Sequence, residues 1–359
     1  MDRVFFTPGP SQLYPTVPQH IRNALDLGIC SISHRSEDFR KIFLKAQEEV
    51  RGLMGFPKDI HVFFLGSGTE AMERIIESCV AKQSFHFVNG SFSKRFYQTA
   101  IELGRKSQKM DAPLGEGFDF GSAQIPQGTE LLCFTQNETS TGVAIPVEDI
   151  YSLREKNPGL LVAVDVVSSA PYTTVDFSKA DCAFFSVQKG FGLPAGIGVV
   201  AVKETAIDKA RALQKQGASI GSYHSFLSLL DQESKYQTPE TPNVLGIYLL
   251  GKVCEDLTRY GAEKIRKETE EKAALLYDFC ESHPSCHGFV KEKRWRSNTI
   301  IVAEIPRGSA PLIKNLKESG MVVGSGYGEL KERQIRVANF PAHSREQVRR
   351  LLEGIGAVD

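Results

Sequence analysis

Apolar residues in this chain fall into short continuous runs and longer stripes. Residues 160–165 and 182–186 are two such runs, too short for typical helices and too continuous for half-exposed strands. They predict buried strands of a parallel sheet. Residues 61–65, 85–88, 131–135 and 196–202 read as strands as well. Helical spacing alternates with them: over 17–27, over a stripe formed by Phe39, Ile42, Phe43, Ala46, Val50, Leu53 and Met54, from about 71 to 81, from 94, and over 147–156. Strand and helix in alternation predict an α/β fold with a doubly wound, mostly parallel sheet. Residues 211–243 read as loop-rich, and 236–243 is the clearest breaker. A long helical region follows from 244 to about 280. The tail then changes character. It offers a strand at 298–303, a helix near 310–319, a glycine-rich loop at 324–328, a strand at 334–339 and a last helix from 344. That βαβα-type unit of roughly 100 residues predicts a second domain.

A length of 359 residues suits one large α/β unit with a smaller companion. The 43 Lys and Arg balance 43 Asp and Glu, so no net field recruits nucleic acid or an anionic membrane. Any anion site must therefore be local. No apolar run approaches the ~18 residues of a transmembrane helix, and the first eight residues lack the apolar core of a secretory signal. The seven cysteines are scattered without a C-x-x-C pair, which favours a reducing cytoplasm and argues against zinc, other metals or a disulfide framework.

In open α/β sheets the ligand sits outside the carboxyl ends of the strands. Asp165 closes one run, and Lys189 follows another 24 positions later (165 to 189). Between an earlier strand and a helix stands Gly66-Ser67-Gly68-Thr69-Glu70, where bare N–H groups and a positive dipole end make a phosphate cradle. It lacks the third glycine of a dinucleotide fingerprint and the Gly-Lys-Ser/Thr of a P-loop. Phe92 ends another strand, where an aromatic can stack on a planar ring. The hydroxyl-rich stretch 137–142 lies at a further strand end. His34 and Arg35 precede a long helix, a setting that favours an anion. An acid and an amine facing one pocket are what pyridoxal phosphate requires. Its aldehyde takes a lysine, and an acidic side chain keeps its ring nitrogen protonated. Each feature also has a bland reading: a buried Asp–Lys pair, a glycine turn before a helix, a core aromatic, a solvated His-Arg pair.

Assembled, these pieces resemble the class V aminotransferases, fold-type I enzymes that use pyridoxal phosphate. The resemblance runs from Thr7-Pro8-Gly9-Pro10 to Arg336. It is most specific over 66–73, over Asn137-Glu138-Thr139-Ser140-Thr141-Gly142, and in the spacing of Asp165 to Gln188-Lys189. It implies a large domain with a mostly parallel seven-stranded sheet sandwiched by helices, plus a smaller α/β C-terminal domain. Residues 1–14 would pack near the site or the small domain, with the large domain at 15–243 and the small one at 244–359. Lys189 would be the Schiff-base lysine and Asp165 the partner of the pyridine nitrogen. Gly68, Thr69 and Gln188 would hold the cofactor phosphate. Phe92 would stack on the ring, Thr139 would reach its hydroxyl side, and Val167 with Ser168 would underlie it. Gln237 and Thr238 match residues that close the phosphate cup from a partner subunit, which implies a homodimer with shared sites. Arg336 matches the arginine that grips the substrate α-carboxylate.

Within the family, Ser33-His34-Arg35-Ser36 looks like the phosphoserine branch, while the Gly-Ser-Gly-Thr loop and Thr-Ser-Thr-Gly stretch look more like the serine–glyoxylate and alanine–glyoxylate branch. Two departures stand out. The second His-Arg pair of the phosphoserine branch is absent from 325–334, and Val187 stands where a small residue usually precedes Gln-Lys. The resemblance implies a cytoplasmic ping-pong transaminase that accepts amino acids and 2-oxo acids. Phosphoserine with 2-oxoglutarate, in serine biosynthesis, is the leading pair if His34 and Arg35 bind the substrate phosphate. The alternative is serine– or alanine–glyoxylate transamination. More remote readings are a cysteine desulfurase, for which Cys286 is the one candidate in a suitable loop, and a non-catalytic α/β module.

Overall fold

The structure, a computed structural model, describes residues 3–357; the first two and last two residues of the expected terminal segments lie outside it. In chain order the elements are β1 (Val4–Phe6), α1 (Val17–Asp26), α2 (Glu37–Met54), β2 (His61–Leu65), α3 (Gly68–Cys79), β3 (Ser84–Val88), α4 (Ser91–Glu102), β4 (Gln108–Asp111) and β5 (Leu131–Thr135). A small hairpin of β6 (Asn137–Glu138) and β7 (Val143–Ala144) leads to α5 (Val147–Lys156), β8 (Leu161–Asp165), β9 (Cys182–Ser186) and β10 (Gly198–Val202). Helices α6 (Glu204–Lys215), α7 (Phe226–Glu233), α8 (Val244–Tyr260) and α9 (Ala262–Ser282) follow. The chain ends with β11 (His287–Gly288), β12 (Ile300–Glu304), α10 (Ser309–Glu318), β13 (Met321–Ser325), β14 (Gln334–Ala338) and α11 (Arg345–Gly356).

Seven strands form the main sheet in the order β2-β10-β9-β8-β5-β3-β4. All neighbours are parallel except β10, which runs antiparallel to both β2 and β9. The alternation of side chains along each strand divides the core in two. Leu132, Phe134, Val162, Val164, Ala183 and Phe185 face the layer of α2, α5 and α8. Leu131, Cys133, Ala163, Cys182 and Phe184 face α3, α4, α6 and α7. Both faces are covered, so these strands are continuously apolar, as their sequence required. Phe134, fully buried, stacks on Phe87 at 4.6 Å between ring centroids. Burying one such side chain contributes about 2–3 kcal/mol.

A second sheet, ordered β1-β13-β14-β12-β11, is backed by α9, α10 and α11. Three features in and beside this sheet are finer than the sequence specifies. Val4–Phe6 adds an edge strand parallel to β13, so residues 4–6 belong to the sheet formed by residues near the other end of the chain. The region expected to be a glycine-rich loop begins as the end of β13. The helical region expected from 244 to about 280 consists of two helices, divided at Gly261, whose φ of 106° is left-handed backbone. In the stretch read as loop-rich, α6 runs on to Lys215 and α7 occupies 226–233, with Phe226 and Leu229 buried and Ser225 as its cap. Turn residues on either side hid that short helix. Strand β4 was not foreseen either, because Gln-Lys-Met-Asp carries no apolar run and lies on the sheet's edge. Among the described residues no helix is long and apolar enough to cross a membrane.

Candidate active site

Leaving β2, the chain turns at Gly66 and Ser67 and enters α3, whose first turn contains Gly68, Thr69 and Glu70. The helix starts earlier than residue 71 because Ser67 caps it, its Oγ accepting from Glu70 N at 3.1 Å. Gly68 and Thr69 thus belong to a first helical turn, where N–H groups lack helical acceptors. Gly68 N donates to Ser186 Oγ at 2.8 Å. A Cβ at Gly68 would stand 2.7 Å from that oxygen and 2.9 Å from Val167 Cγ2, so a side chain would push α3 away from the cavity wall.

Helix α4 likewise begins at Ser91 rather than 94, which moves Phe92 from a strand end to a helix's first turn. The cause is Glu138, fully buried on β6. Its Oε2 accepts from Phe92 N at 3.1 Å, Ser93 N at 2.9 Å and Ser93 Oγ at 2.9 Å, while Oε1 accepts from Ser140 N at 3.0 Å and Ser140 Oγ at 2.6 Å. A carboxylate at a helix N-terminus satisfies orphan donors and suits the dipole. Glu138 therefore positions Phe92. The sequence shows Glu138 only as an acidic residue amid hydroxyls at a strand end, with no sign that it serves α4.

Lys189 and Asp165 line one cavity together with Gly68, Thr69, Phe92, Thr139, Val167 and Gln188; Ser67, Met72, Asn137 and Ser186 complete the lining. Lys189 is 6% exposed and Asp165 3%. Lys189 Nζ donates to Thr139 Oγ1 at 3.3 Å and lies 5.1 Å from the centroid of the Phe92 ring. Asp165 Oδ1 accepts from Val167 N at 2.8 Å. Burial pushes the Asp165 carboxyl well up, with the Val167 N–H and the Lys189 charge opposing. Burial pulls the Lys189 amine down; Asp165 opposes this and Arg336 adds to it. The carboxylate sits in a place that favours a cationic neighbour, and the amine sits in one that favours its neutral, nucleophilic form.

The second sheet delivers Arg336 from β14. Its Nε donates to Ser325 O at 2.8 Å and its Nη1 to Thr139 O at 3.3 Å. Tyr327 lies 5.2 Å from the guanidinium carbon and 5.7 Å from the Phe92 ring, forming an aromatic wall between Lys189 and Arg336. Ser168 stands behind the cavity: its Oγ donates to Asn137 O at 2.9 Å and accepts from Asn137 Nδ2 at 2.7 Å. His34, Arg35, Gln237 and Thr238 do not line this cavity. Arg35 Nη1 donates to Gln237 Oε1 at 2.7 Å and Thr238 O at 2.9 Å, and its Nη2 to Pro239 O at 3.2 Å. These residues form a separate cluster within the chain. Cys286 is not a mobile loop thiol. It is 1% exposed, its Sγ lies 3.3 Å from that of Cys280, and that contact together with burial holds its thiol well above the usual range.

The family model for Aminotransferase class-V matches residues 118–332, more than half the chain. The chain belongs to the class-V aminotransferases. The crystal structure of a phosphoserine aminotransferase, SerC, from Cytophaga hutchinsonii ATCC 33406 is 49% identical, covers 99% of both chains and superposes with a TM-score of 0.97. An aspartate aminotransferase of subgroup IV from Thermus thermophilus is 26% identical over 99% of this chain and 98% of its own, with a TM-score of 0.82. The phosphoserine aminotransferase of Rhodococcus opacus (strain B4) is 26% identical over 97% of this chain and 92% of its own length. This class-V member is a transaminase with the fold-type I architecture.

Proposed function

We propose that this transaminase uses pyridoxal 5′-phosphate and moves an amino group between phosphoserine and 2-oxoglutarate, a step of serine biosynthesis. The observation that carries the reading is that Asp165, Lys189 and the first turn of α3 wall a single cavity. The residues present fit the cofactor: the amine is buried with its pKa lowered, the acid is buried beside it, and the α3 start that lines the cavity carries the positive end of the helix dipole, with Gly68 N held by Ser186 Oγ and Glu70 N by Ser67 Oγ. Bound there, pyridoxal phosphate supplies an aldehyde for amines and a protonated ring that accepts electron density from the substrate's Cα.

The chain's own groups do the rest. Gly68, Thr69 and Gln188 would hold the phosphate, and Asp165 would keep a proton on the ring nitrogen. Phe92 would stack on the ring and Val167 underlie it, with Ser168 bracing that side of the cavity through Asn137. Lys189 would be the group that moves a proton to and from the substrate Cα, and its lowered pKa would ease release of the proton from Nζ. Thr139 holds both the Lys189 amine and, through its carbonyl, the Arg336 guanidinium. Arg336 takes the α-carboxylate on its remaining edge. The cluster of His34, Arg35, Gln237 and Thr238 serves a second copy's cavity in a homodimer with shared sites. There it closes the cofactor's phosphate cup and meets the anionic substrate side chain. The enzyme works in the cytoplasm on soluble amino-acid and 2-oxo-acid substrates.

Half-reactions test the substrate. Phosphoserine and glutamate should each bleach the bound cofactor's absorbance at far lower concentration than serine or alanine. Arg35→Ala should cut turnover of phosphohydroxypyruvate by about a hundredfold, the scale of a lost charged contact, while alanine turnover changes little. Equal losses on both, or faster reaction with serine and glyoxylate, would overturn the phosphoserine assignment.

A further inference from the structure

His224 is 4% exposed and stands between two carboxylates. Its Nδ1 meets Glu70 Oε1, and its Nε2 lies 2.7 Å from Glu240 Oε2. Carboxylates accept and do not donate, so an imidazole that serves one at each nitrogen carries both hydrogens and a positive charge. Glu70 is no remote partner. It follows Thr69 in the first turn of α3, and its other oxygen accepts from Gly66 N at 2.7 Å. Its charge therefore lies beside the N–H groups that form the anion cradle. Glu240 belongs to the segment that Arg35 anchors through Thr238 O and Pro239 O, and Thr238 Oγ1 donates to Glu240 O at 2.8 Å.

We propose that His224 is a positioning residue of the phosphate cradle: it clamps the start of α3 to the 237–240 segment and offsets the Glu70 charge that would otherwise repel a bound phosphate. The proposal rests on the reading that the cradle takes a cofactor phosphate. An acidic side chain and a dianionic phosphate compete for one helix N-terminus, and like charges that close disfavour each other unless a cation intervenes. His224 is the cation in ion-pair contact with Glu70 among the described residues, and Arg74 acts on it more weakly. The Tyr223 ring packs on His224 at 4.0 Å between centroids. Arg74 of α3 is engaged by Glu73 and Glu77. Across the clamp, Arg35 is hydrogen-bonded to the Thr238 and Pro239 carbonyls and to Gln237, and burial and Arg35 lower the pKa of His34 against the opposing pull of Glu240.

The clamp has a pH signature. Burial opposes the charge on His224, but the hydrogen bonds to Glu240 and Glu70 raise its pKa to about 9. Its contribution is complete below the ordinary histidine value of 6.5 and disappears as pH rises through about 9. Lys189 responds in the opposite sense, because its neutral form condenses with aldehydes, so the probe must not react with it.

Pyridoxamine 5′-phosphate binds without condensing, and pyridoxamine lacks the phosphate. With the full chain freed of cofactor, the wild type should lose affinity for pyridoxamine phosphate as pH rises through about 9 and keep its affinity for pyridoxamine. At neutral pH, His224→Gln should weaken pyridoxamine phosphate about tenfold and pyridoxamine less than about twofold, and Glu70→Gln added to it should restore most of the loss. Glu240→Gln, which leaves the Glu70 contact intact, should move the wild-type pH transition downward. Equal loss of both probes, absence of rescue, or a flat pH profile in the wild type would reduce His224 to a fold contact and end the proposal. If the wild type binds neither probe, the cofactor reading itself falls.

Discussion

Glu138→Gln tests whether one buried carboxylate sets the start of α4 and so the place of Phe92. Glutamine keeps the shape but presents an NH2 group on one side. If that group faces Phe92 and Ser93, Ser93 N loses its acceptor, Phe92 N keeps only its longer 3.3 Å contact to the other oxygen, and the Ser93 hydroxyl must turn; if it faces Ser140, only Ser140 N is orphaned, because the Ser140 hydroxyl can turn and accept. The second orientation is cheaper and is the one expected. An orphaned buried N–H costs about 1–3 kcal/mol, and the three surviving bonds from Phe92 and Ser93 each lose about 0.5–1 kcal/mol of charge assistance. A neutral side chain is easier to bury, which offsets part of this. The net cost is about 3 kcal/mol, or about a hundredfold in the local opening equilibrium. Amide hydrogen exchange reads that opening directly. Protection at Phe92 and Ser93 should fall about hundredfold while the β5 and β8 amides keep theirs. Protection of both amides within about threefold of wild type would show that the α4 start stands without the carboxylate and refute the reasoning.

Two further outcomes follow from the cavity. Asp165→Asn keeps the Val167 N–H contact but cannot hold a ring proton, so transamination should fall by at least about a hundredfold with cofactor still bound, read by absorbance and single-turnover kinetics; kcat within tenfold of wild type would count against the acid's role. Gly9 lies over Lys189 at φ +138°, and a Cβ there would stand 2.9 Å from Lys189 Cγ and 3.0 Å from Cε. Gly9→Ala should cost about 1–3 kcal/mol in backbone strain and displace the amine, lowering kcat more than it changes KM and shifting the pH at which the lysine-bound cofactor's absorbance titrates; an unshifted titration would show that the N-terminal segment does not position Lys189.

How much of this was legible before folding varies from element to element. The runs at 161–165 and 182–186 declared themselves, because a strand covered on both faces must be apolar at every position. Asp165 and Lys189 were readable as a pair because topology places carboxyl ends of neighbouring strands at one edge, and β8 and β9 are neighbours. The helix starts at Gly68 and Ser91 were misplaced by three residues each, since glycine and serine read locally as turn formers. Ser67 could have been recognised as a cap. Glu138 could not have been recognised as the acceptor for α4, because its partners lie 45 to 46 positions away.

The sequence by itself determined the α/β alternation, an acid and an amine at the ends of two strands, and a glycine turn leading into a helix, all of which follow from periodicity and from turn chemistry along the chain. Only the tertiary structure decided that β10 runs against its neighbours, that Val4–Phe6 joins the sheet built by residues 287–338, and that Arg35 is bound to the 237–239 segment rather than to the cavity of its own chain. Those outcomes depend on which distant groups meet once both sheets are packed. An arginine or a carboxylate takes whichever partners burial brings within hydrogen-bonding distance, and pattern along the chain holds no record of that distance.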